Sequence, residues 1–340
     1  MRVAVYYSNR DIRIEEVEVP KISAGELLIR TEACGICGTD ILEWYRKKRA
    51  PLVLGHEATG VVAEVGEGVT RFKPGDRVFV SHHVPCGVCR YCLADKETAC
   101  ETLHTTNYYP GGFSQYIKVP KINVDKGTYL LPDSISFEES VFIEPLGCAI
   151  RGQRVAQVKR DDTLLVIGSG VAGLLHIQLA RLKGVSKIIA TDISDRRLDF
   201  AKRLGADLTV NASREDVVQA LLDFNGRRAD KVLLCTGAPS AYEDALRCVD
   251  RGGVILFFAV PDPSYRACIP LTDYWRNEVT LTTSYGAAPK DLEEALKIIS
   301  SESLELSSLI THRLPLSDIA LGFRLFIEGE SLKVVINPNR

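Results

Sequence analysis

The sequence predicts an α/β protein of two domains, a β-rich domain followed by a doubly wound parallel sheet. Three observations predict it. Short strand-like runs broken by Gly and Pro fill residues 1–150. Strand and helix patterns alternate from Arg154 onward. A glycine loop, Gly168-Ser169-Gly170-Val171-Ala172-Gly173, opens the alternating part. At 340 residues the chain is long enough to bury two cores.

In order along the chain, residues 26–31, 59–65, 76–80 and 113–119 read as strands. Turns punctuate them, as in Gly66-Glu67-Gly68 and Lys73-Pro74-Gly75-Asp76. Close spacing of short strands favours a barrel or sandwich. Residues 163–167 form a buried-strand run, and 172–183 a helix with Leu175, Leu179 and Leu182 on one face. Strand 187–191 and helix 195–204 follow, then strand 231–235, helix 241–249 and strand 254–260. Such alternation means parallel strands with right-handed crossovers. The tail reads as helix 290–299, strand 310–314, helix 317–328 and strand 332–336, and it is expected to return to the first domain. The expected domains are 1–150 plus 286–340, and 151–285.

Composition excludes several classes. Net charge is −2, so no basic field recruits nucleic acid. The longest apolar stretch, 254–260, is too short to span a bilayer. Strand-like alternation starts at Val3, Val5 and Tyr7 with no apolar leader, which predicts a cytoplasmic protein. Of ten cysteines, six fall between Cys34 and Cys100, a density that points to metal rather than disulfides in such a chain.

The glycine loop follows a strand and precedes a helix. Gly168 permits the turn, Gly170 lets a pyrophosphate approach the backbone, and Gly173 lets helix and strand pack closely. Val171 and Ala172 open the helix, whose N–H groups and dipole favour phosphate. Asp192 lies 19 residues after Gly173, at the next strand end. A carboxylate there accepts from ribose hydroxyls and disfavours an extra phosphate, which predicts NAD over NADP. Arg196 and Arg197 nearby argue the other way.

Cys86, Cys89, Cys92 and Cys100 form C-x2-C-x2-C-x7-C. Four thiolates make a closed tetrahedral shell, hence a structural zinc, with iron the alternative by residue type. Cys37, His56, Glu57 and Glu144 are a second, dispersed set of ligand types, and Thr39 follows Cys37 closely. Glu144 sits in an apolar setting, costly for a carboxylate unless something positive pairs with it. A Lewis acid and a hydride carrier in one chain point to alcohol oxidation or carbonyl reduction.

These motifs give the chain a resemblance, over nearly its whole length, to the zinc-dependent medium-chain dehydrogenases, in the sorbitol (polyol) and threonine dehydrogenase branch. The motifs are Cys37 with Thr39-Asp40, Gly55-His56-Glu57, the four cysteines, Glu144-Pro145-Leu146, the glycine loop and Asp192. The resemblance implies a GroES-like catalytic domain joined to a Rossmann domain. It implies a small-molecule alcohol substrate, NAD, two zinc ions per chain and a homodimer or homotetramer. Cys37 and His56 would hold the catalytic zinc, with Glu57 and Glu144 sharing ligand and water-holding duties. Asp40 would brace His56, Cys148 would lie against the nicotinamide, and Arg197 near the adenosine ribose. The implied reaction takes a secondary hydroxyl of a polyol or sugar to the ketone. L-threonine and sugar acids or sugar phosphates are the alternatives, and a non-catalytic dinucleotide-binding module with a zinc staple is the remote one.

Two departures stand out. Relatives often carry a relay His soon after the Thr-Asp pair, where this chain has Ile41-Leu42-Glu43-Trp44. The segment from Cys37 to His56 is short and contains Arg46-Lys47-Lys48-Arg49, which reads as a solvated loop or as an attractor for an anionic substrate.

Overall fold

In the computed structural model, which describes residues 1–340, the chain divides into one unit of Met1–Pro145 with Ala287–Arg340 and a second of Leu146–Gly286. Strand Leu27–Gly35 is the spine of the first unit. Its residues are buried over most of their length, so both faces are covered. The sheet runs Ile310–Pro315, Lys333–Asn337, Leu27–Gly35, Glu57–Val65, Arg77–Ser81, Thr128–Leu130, with Tyr116–Val119 also paired to the spine. Leu27, Ile29, Val62, Val78 and Ile117 point into one core, closed by Phe113 and Phe323. A small sheet of Arg2–Ser8, Asp11–Glu16 and Leu52–Val53 packs its Ala4 and Tyr6 on the same core.

Strand register decides which side chains meet at the end of the spine. Gly35 pairs with Glu57, Glu57 with Ser81, and Val335 with Gly35. The tail strand Lys333–Asn337 thus lies antiparallel beside the spine, at the end where the spine runs out toward Cys37.

The second unit is a six-stranded sheet in which every pairing is parallel. Its order is Leu208–Asn211, Lys187–Asp192, Thr163–Ile167, Ala229–Leu234, Val249–Phe257, Thr280–Thr283. This is the doubly wound order, in which ligands meet the carboxyl ends of the strands where the winding reverses. Several elements are not evident in the sequence pattern. Leu208–Asn211 and Thr280–Thr283 are only 4 residues each and give too little periodicity. Helix Ile143–Val155 carries Pro145, Gly147 and Gly152, which mask it, although Pro in a first turn costs no hydrogen bond. Helix Val217–Asn225 does carry its signals: Asp216 caps Val218 and Gln219, and Gly226 ends it with φ of 74°.

Candidate active site

Adjacent strands deliver the ligand atoms. Cys37 lies just past the spine strand, and His56 just before Glu57 on the neighbouring one. One ligand atom from each of Cys37, His56 and Glu57 falls within 4.8 Å of the others. Glu57 is fully buried, and Lys333 Nζ donates to its Oε2 at 2.5 Å and to the Ile36 carbonyl at 3.3 Å. The other oxygen, Oε1, is buried without a hydrogen-bond partner. An idle oxygen on a buried carboxylate is costly. A cation held by Cys37 and His56 would complete it, so the residues fit a zinc ion.

The neighbouring glycine is part of this design. A Cβ at Gly35 would fall 1.9 Å from Glu57 Oε2 and 3.3 Å from Lys333 Nζ. No other residue leaves room for the ion pair.

Asp40 fixes the ligands from behind. It is buried, its Oδ2 accepts from the Cys37 N–H at 3.0 Å, and its Oδ1 lies 3.4 Å from His56 Nδ1. That leaves Nε2 of His56 to face a metal. Burial alone would lower the His56 pKa, but the Asp40 and Cys37 charges outweigh it and raise it well above the ordinary imidazole value. A metal at this site would therefore compete with a proton for the imidazole. Burial pushes the Asp40 carboxyl up, and the His56 charge and hydrogen bond bring it below its usual value.

Thr39 Oγ1 donates to Cys37 Sγ at 3.4 Å. Arg46 closes over Thr39: Nε donates to the Thr39 carbonyl at 3.0 Å and Nη2 to Thr39 Oγ1 at 3.2 Å. Glu144 is buried in the first turn of its helix. It is not in the group of ligand atoms within 4.8 Å, but its charge acts on Lys333 and Tyr108. Cys34 is fully buried, wedged where a Cβ on Gly55 or Gly112 would come within 2.8 or 2.6 Å of its sulfur. Burial pushes its thiol pKa far up, and its sulfur is not in the group formed by Cys37, His56 and Glu57.

The four-cysteine lobe is separate and local. Cys86, Cys89, Cys92 and Cys100 bring their sulfurs within 4.8 Å of one another. Cys89 to Cys92 is 3.5 Å and Cys86 to Cys92 is 3.9 Å, bracketing the ~3.8 Å edge of a tetrahedron with zinc–sulfur bonds near 2.3 Å. Backbone N–H groups of Val88 and Cys89 donate to Cys86 Sγ at 3.4 and 3.3 Å, and Cys86 N donates to Cys100 Sγ at 3.4 Å. Burial raises the Cys100 thiol, but hydrogen bonds from the Cys86 and Leu103 N–H groups, then from the Cys86 and Thr102 side chains, bring it down to about 6, toward the thiolate a metal needs.

In the second unit, Gly168 adopts φ of 93° and its N–H donates to Thr191 O at 2.9 Å. A Cβ on Gly173 would meet the Gly168 carbonyl at 1.9 Å, whereas one on Gly170 would meet nothing within 4 Å. Close packing and an open approach thus sit side by side at the start of helix Val171–Leu182, whose first residues are Val171 and Ala172. Asp192 Oδ2 accepts from the Ser169 N–H at 2.8 Å and Oδ1 from Ser194 N–H at 3.0 Å, with Arg197 Nη1 at 4.0 Å. Asp192 is therefore tied to the loop itself, and the residues fit a dinucleotide. Cys148 is on helix Ile143–Val155, half-buried.

Three participants are not read from the sequence. Lys333 hides in the apolar run Leu332-Lys333-Val334-Val335-Ile336, and only the unexplained charge in it is a signal. Arg46 is part of a charge run read chiefly as solvated; Lys47, Lys48 and Arg49 are exposed, but Arg46 is not. No His follows Thr39-Asp40, yet His82 stands with its ring centroid 4.9 Å from His56 and 3.8 Å from His83. Burial, then the charges of His56, His104, Arg46 and Arg49, holds His83 neutral down to about 3.

Comparison with known proteins identifies the family. Residues 23–130 match the alcohol dehydrogenase GroES-like domain, and residues 171–301 match the zinc-binding dehydrogenase domain. An alcohol dehydrogenase of Geobacillus stearothermophilus is 34% identical over 331 residues, 94% of each chain. A sorbitol dehydrogenase of Bacillus subtilis is 33% identical, covering 100% of this chain and 98% of that one. The solved galactitol-1-phosphate dehydrogenase of Escherichia coli superposes with a TM-score of 0.86 at 27% identity, over 99% of this chain and 100% of that one. No helix is long and apolar enough to cross a membrane. The GroES-like unit, the Rossmann unit and these relatives together make the chain a member of the zinc-dependent medium-chain dehydrogenase family, an NAD(P)-dependent oxidoreductase acting on small-molecule alcohols.

Proposed function

We propose that this chain oxidises a secondary hydroxyl of a polyol or sugar to the ketone with NAD. The observation that carries the reading is the carboxylate in the metal set: Glu57, tethered by Lys333, keeps one buried oxygen idle beside Cys37 and His56. Cys37, His56 and Glu57 would hold the catalytic zinc, with Glu144 entering from its helix end. Cys86, Cys89, Cys92 and Cys100 would hold a structural zinc. When bound, zinc supplies a Lewis acid for the substrate hydroxyl, and NAD supplies the hydride acceptor.

The chain's own residues do the rest. Thr39 Oγ1 receives the hydroxyl proton. Arg46 can only donate, so Thr39, which is exposed, would pass its own hydroxyl proton to water on the side away from the guanidinium. Asp40 holds His56 in the tautomer that leaves Nε2 free. Gly168, Gly170 and Gly173 with Val171 and Ala172 would cradle the pyrophosphate, and Asp192, beside Arg197, would accept from the adenosine ribose. Cys148 would line the nicotinamide site. Ten cysteines with no disulfide among them suit the reducing cytoplasm. A homodimer or homotetramer would form through the open edge strand Thr280–Thr283.

The test is NADH formation across a panel of polyols, sugars, sugar acids and L-threonine. Turnover of a polyol, lost in Cys37→Ser and His56→Ala while NAD still binds, is expected. Turnover of L-threonine alone, or full activity in either variant, sinks the reading.

A further inference from the structure

The segment Arg46-Lys47-Lys48-Arg49 gathers positive charge beside Thr39, and its one ion pair, Arg46 with Asp40 at 3.5 Å, uses an acid that His56 shares. Asp40 is committed to His56 and the Cys37 N–H, and Glu43 accepts from the Asn9 N–H at 3.3 Å. Arg46 spends Nε and Nη2 on Thr39, and Nη2 also lies 3.5 Å from Asp40 Oδ1. Its Nη1 has no partner, and its side chain is 15% exposed. Arg49 has no carboxylate partner at all. Its guanidinium lies 5.5 Å from the Tyr45 ring centroid, and that of Arg46 lies 4.8 Å from the same centroid. Arg46, Arg49 and His104 all stand close enough for their charges to act on His83, which packs against His82 beside His56.

Two guanidiniums drawn to one aromatic ring repel each other. Neutral hydroxyls gain little from such a pair, whereas an oxyanion gains charge-assisted, forked hydrogen bonds. We propose that Arg46 and Arg49, set on Tyr45 next to Thr39, form an anion subsite, so that the natural substrate carries a carboxylate or phosphate a few bonds from the hydroxyl that is oxidised. This rests on the alcohol-oxidising reading of the Cys37, His56 and Glu57 site and narrows its substrate class. The charge field would also steer such a substrate in at low salt.

The experiment has two arms. In the first, the zinc-loaded full chain is assayed with sorbitol, gluconate and sorbitol 6-phosphate at low and high salt. An anionic substrate should exceed sorbitol in kcat/KM by about tenfold or more, with the advantage shrinking as salt screens it. Arg49→Gln should erase most of that preference through KM, with kcat little changed. Whichever anion wins names the group. Equal kcat/KM for neutral and anionic substrates, unchanged by Arg49→Gln, overturns the proposal. In the second arm, Trp275→Phe leaves Trp44, next to Tyr45, as the only tryptophan. Its fluorescence is titrated with inorganic phosphate. Saturable binding that weakens about fivefold or more in Arg49→Gln supports the subsite; binding of equal strength in both proteins places the phosphate elsewhere and overturns it. If no alcohol is turned over, the activity reading falls, and the phosphate titration still decides the subsite.

Discussion

The first unit carries two clusters of metal-ligand atoms built in opposite ways. The four-cysteine lobe takes all its ligands from residues 86–100 and braces them with its own backbone N–H groups. The Cys37, His56 and Glu57 set takes its ligands from separate strands and its counter-charge from Lys333, 276 residues beyond Glu57. The lobe uses one ligand type and leaves no open position. The dispersed site mixes thiolate, imidazole and carboxylate, keeps an oxygen idle, and admits Thr39 and Arg46 at its rim. A closed local shell holds a fold; an open, non-local one leaves room for chemistry.

The largest break in that comparison comes from the ligands. Cys37→Ser should abolish turnover and lose one zinc per chain while far-UV circular dichroism stays unchanged. Cys89→Ser should lose the other zinc and lower Tm. Metal analysis with thermal melts separates the two, and loss of both metals in either variant would show that the sites are coupled.

Next is the buried ion pair. In the zinc-free protein, Lys333→Met leaves Glu57 buried and unpaired, at a cost of about 3–5 kcal/mol in urea unfolding. The double variant Glu57→Met with Lys333→Met should recover most of that stability and none of the activity. A double variant no more stable than the single one would show that the pair itself is not the source of the loss.

Asp40→Asn should weaken catalytic zinc by roughly 10–100-fold in chelator competition, leaving the lobe's zinc in place. Equal weakening at both sites would contradict their separate bracing.

A histidine outside both clusters sharpens the acid response. His176 is fully buried against Phe258, and burial lowers its pKa to about 3. Unfolded, it takes a proton near pH 6.5, which the folded chain refuses. Its contribution is therefore full above pH 6.5 and is lost as pH falls toward 3, about 2 kcal/mol by pH 5. His176→Leu should flatten that slope in urea unfolding series while the acid loss of catalytic zinc, set by His56, persists. An unchanged slope would remove His176 from the account.

The same contrast explains what the sequence reveals. The lobe is legible because spacing alone brings Cys86, Cys89, Cys92 and Cys100 together, and the glycine loop because strand, loop, helix and Asp192 follow one another. Cys37, His56 and Glu57 are legible only by type; their meeting depends on the register that sets Gly35 against Glu57. Lys333, Arg46 and His82 arrive by tertiary packing. Their neighbours in sequence, an apolar strand, a charge run and a turn, say nothing about Glu57, Thr39 or His56. The requirement for glycine at position 35 is likewise invisible until the Glu57–Lys333 pair is seen crossing it.

The distance between Glu57 and Lys333 also sets a clock. At 5–20 residues per second, the 276 residues between them take on the order of 15–55 s to synthesise. For that time the nascent catalytic unit has a carboxylate that its sheet would bury and no lysine to neutralise it. The Glu57–Lys333 pair therefore cannot form until the whole dinucleotide-binding unit has been synthesised.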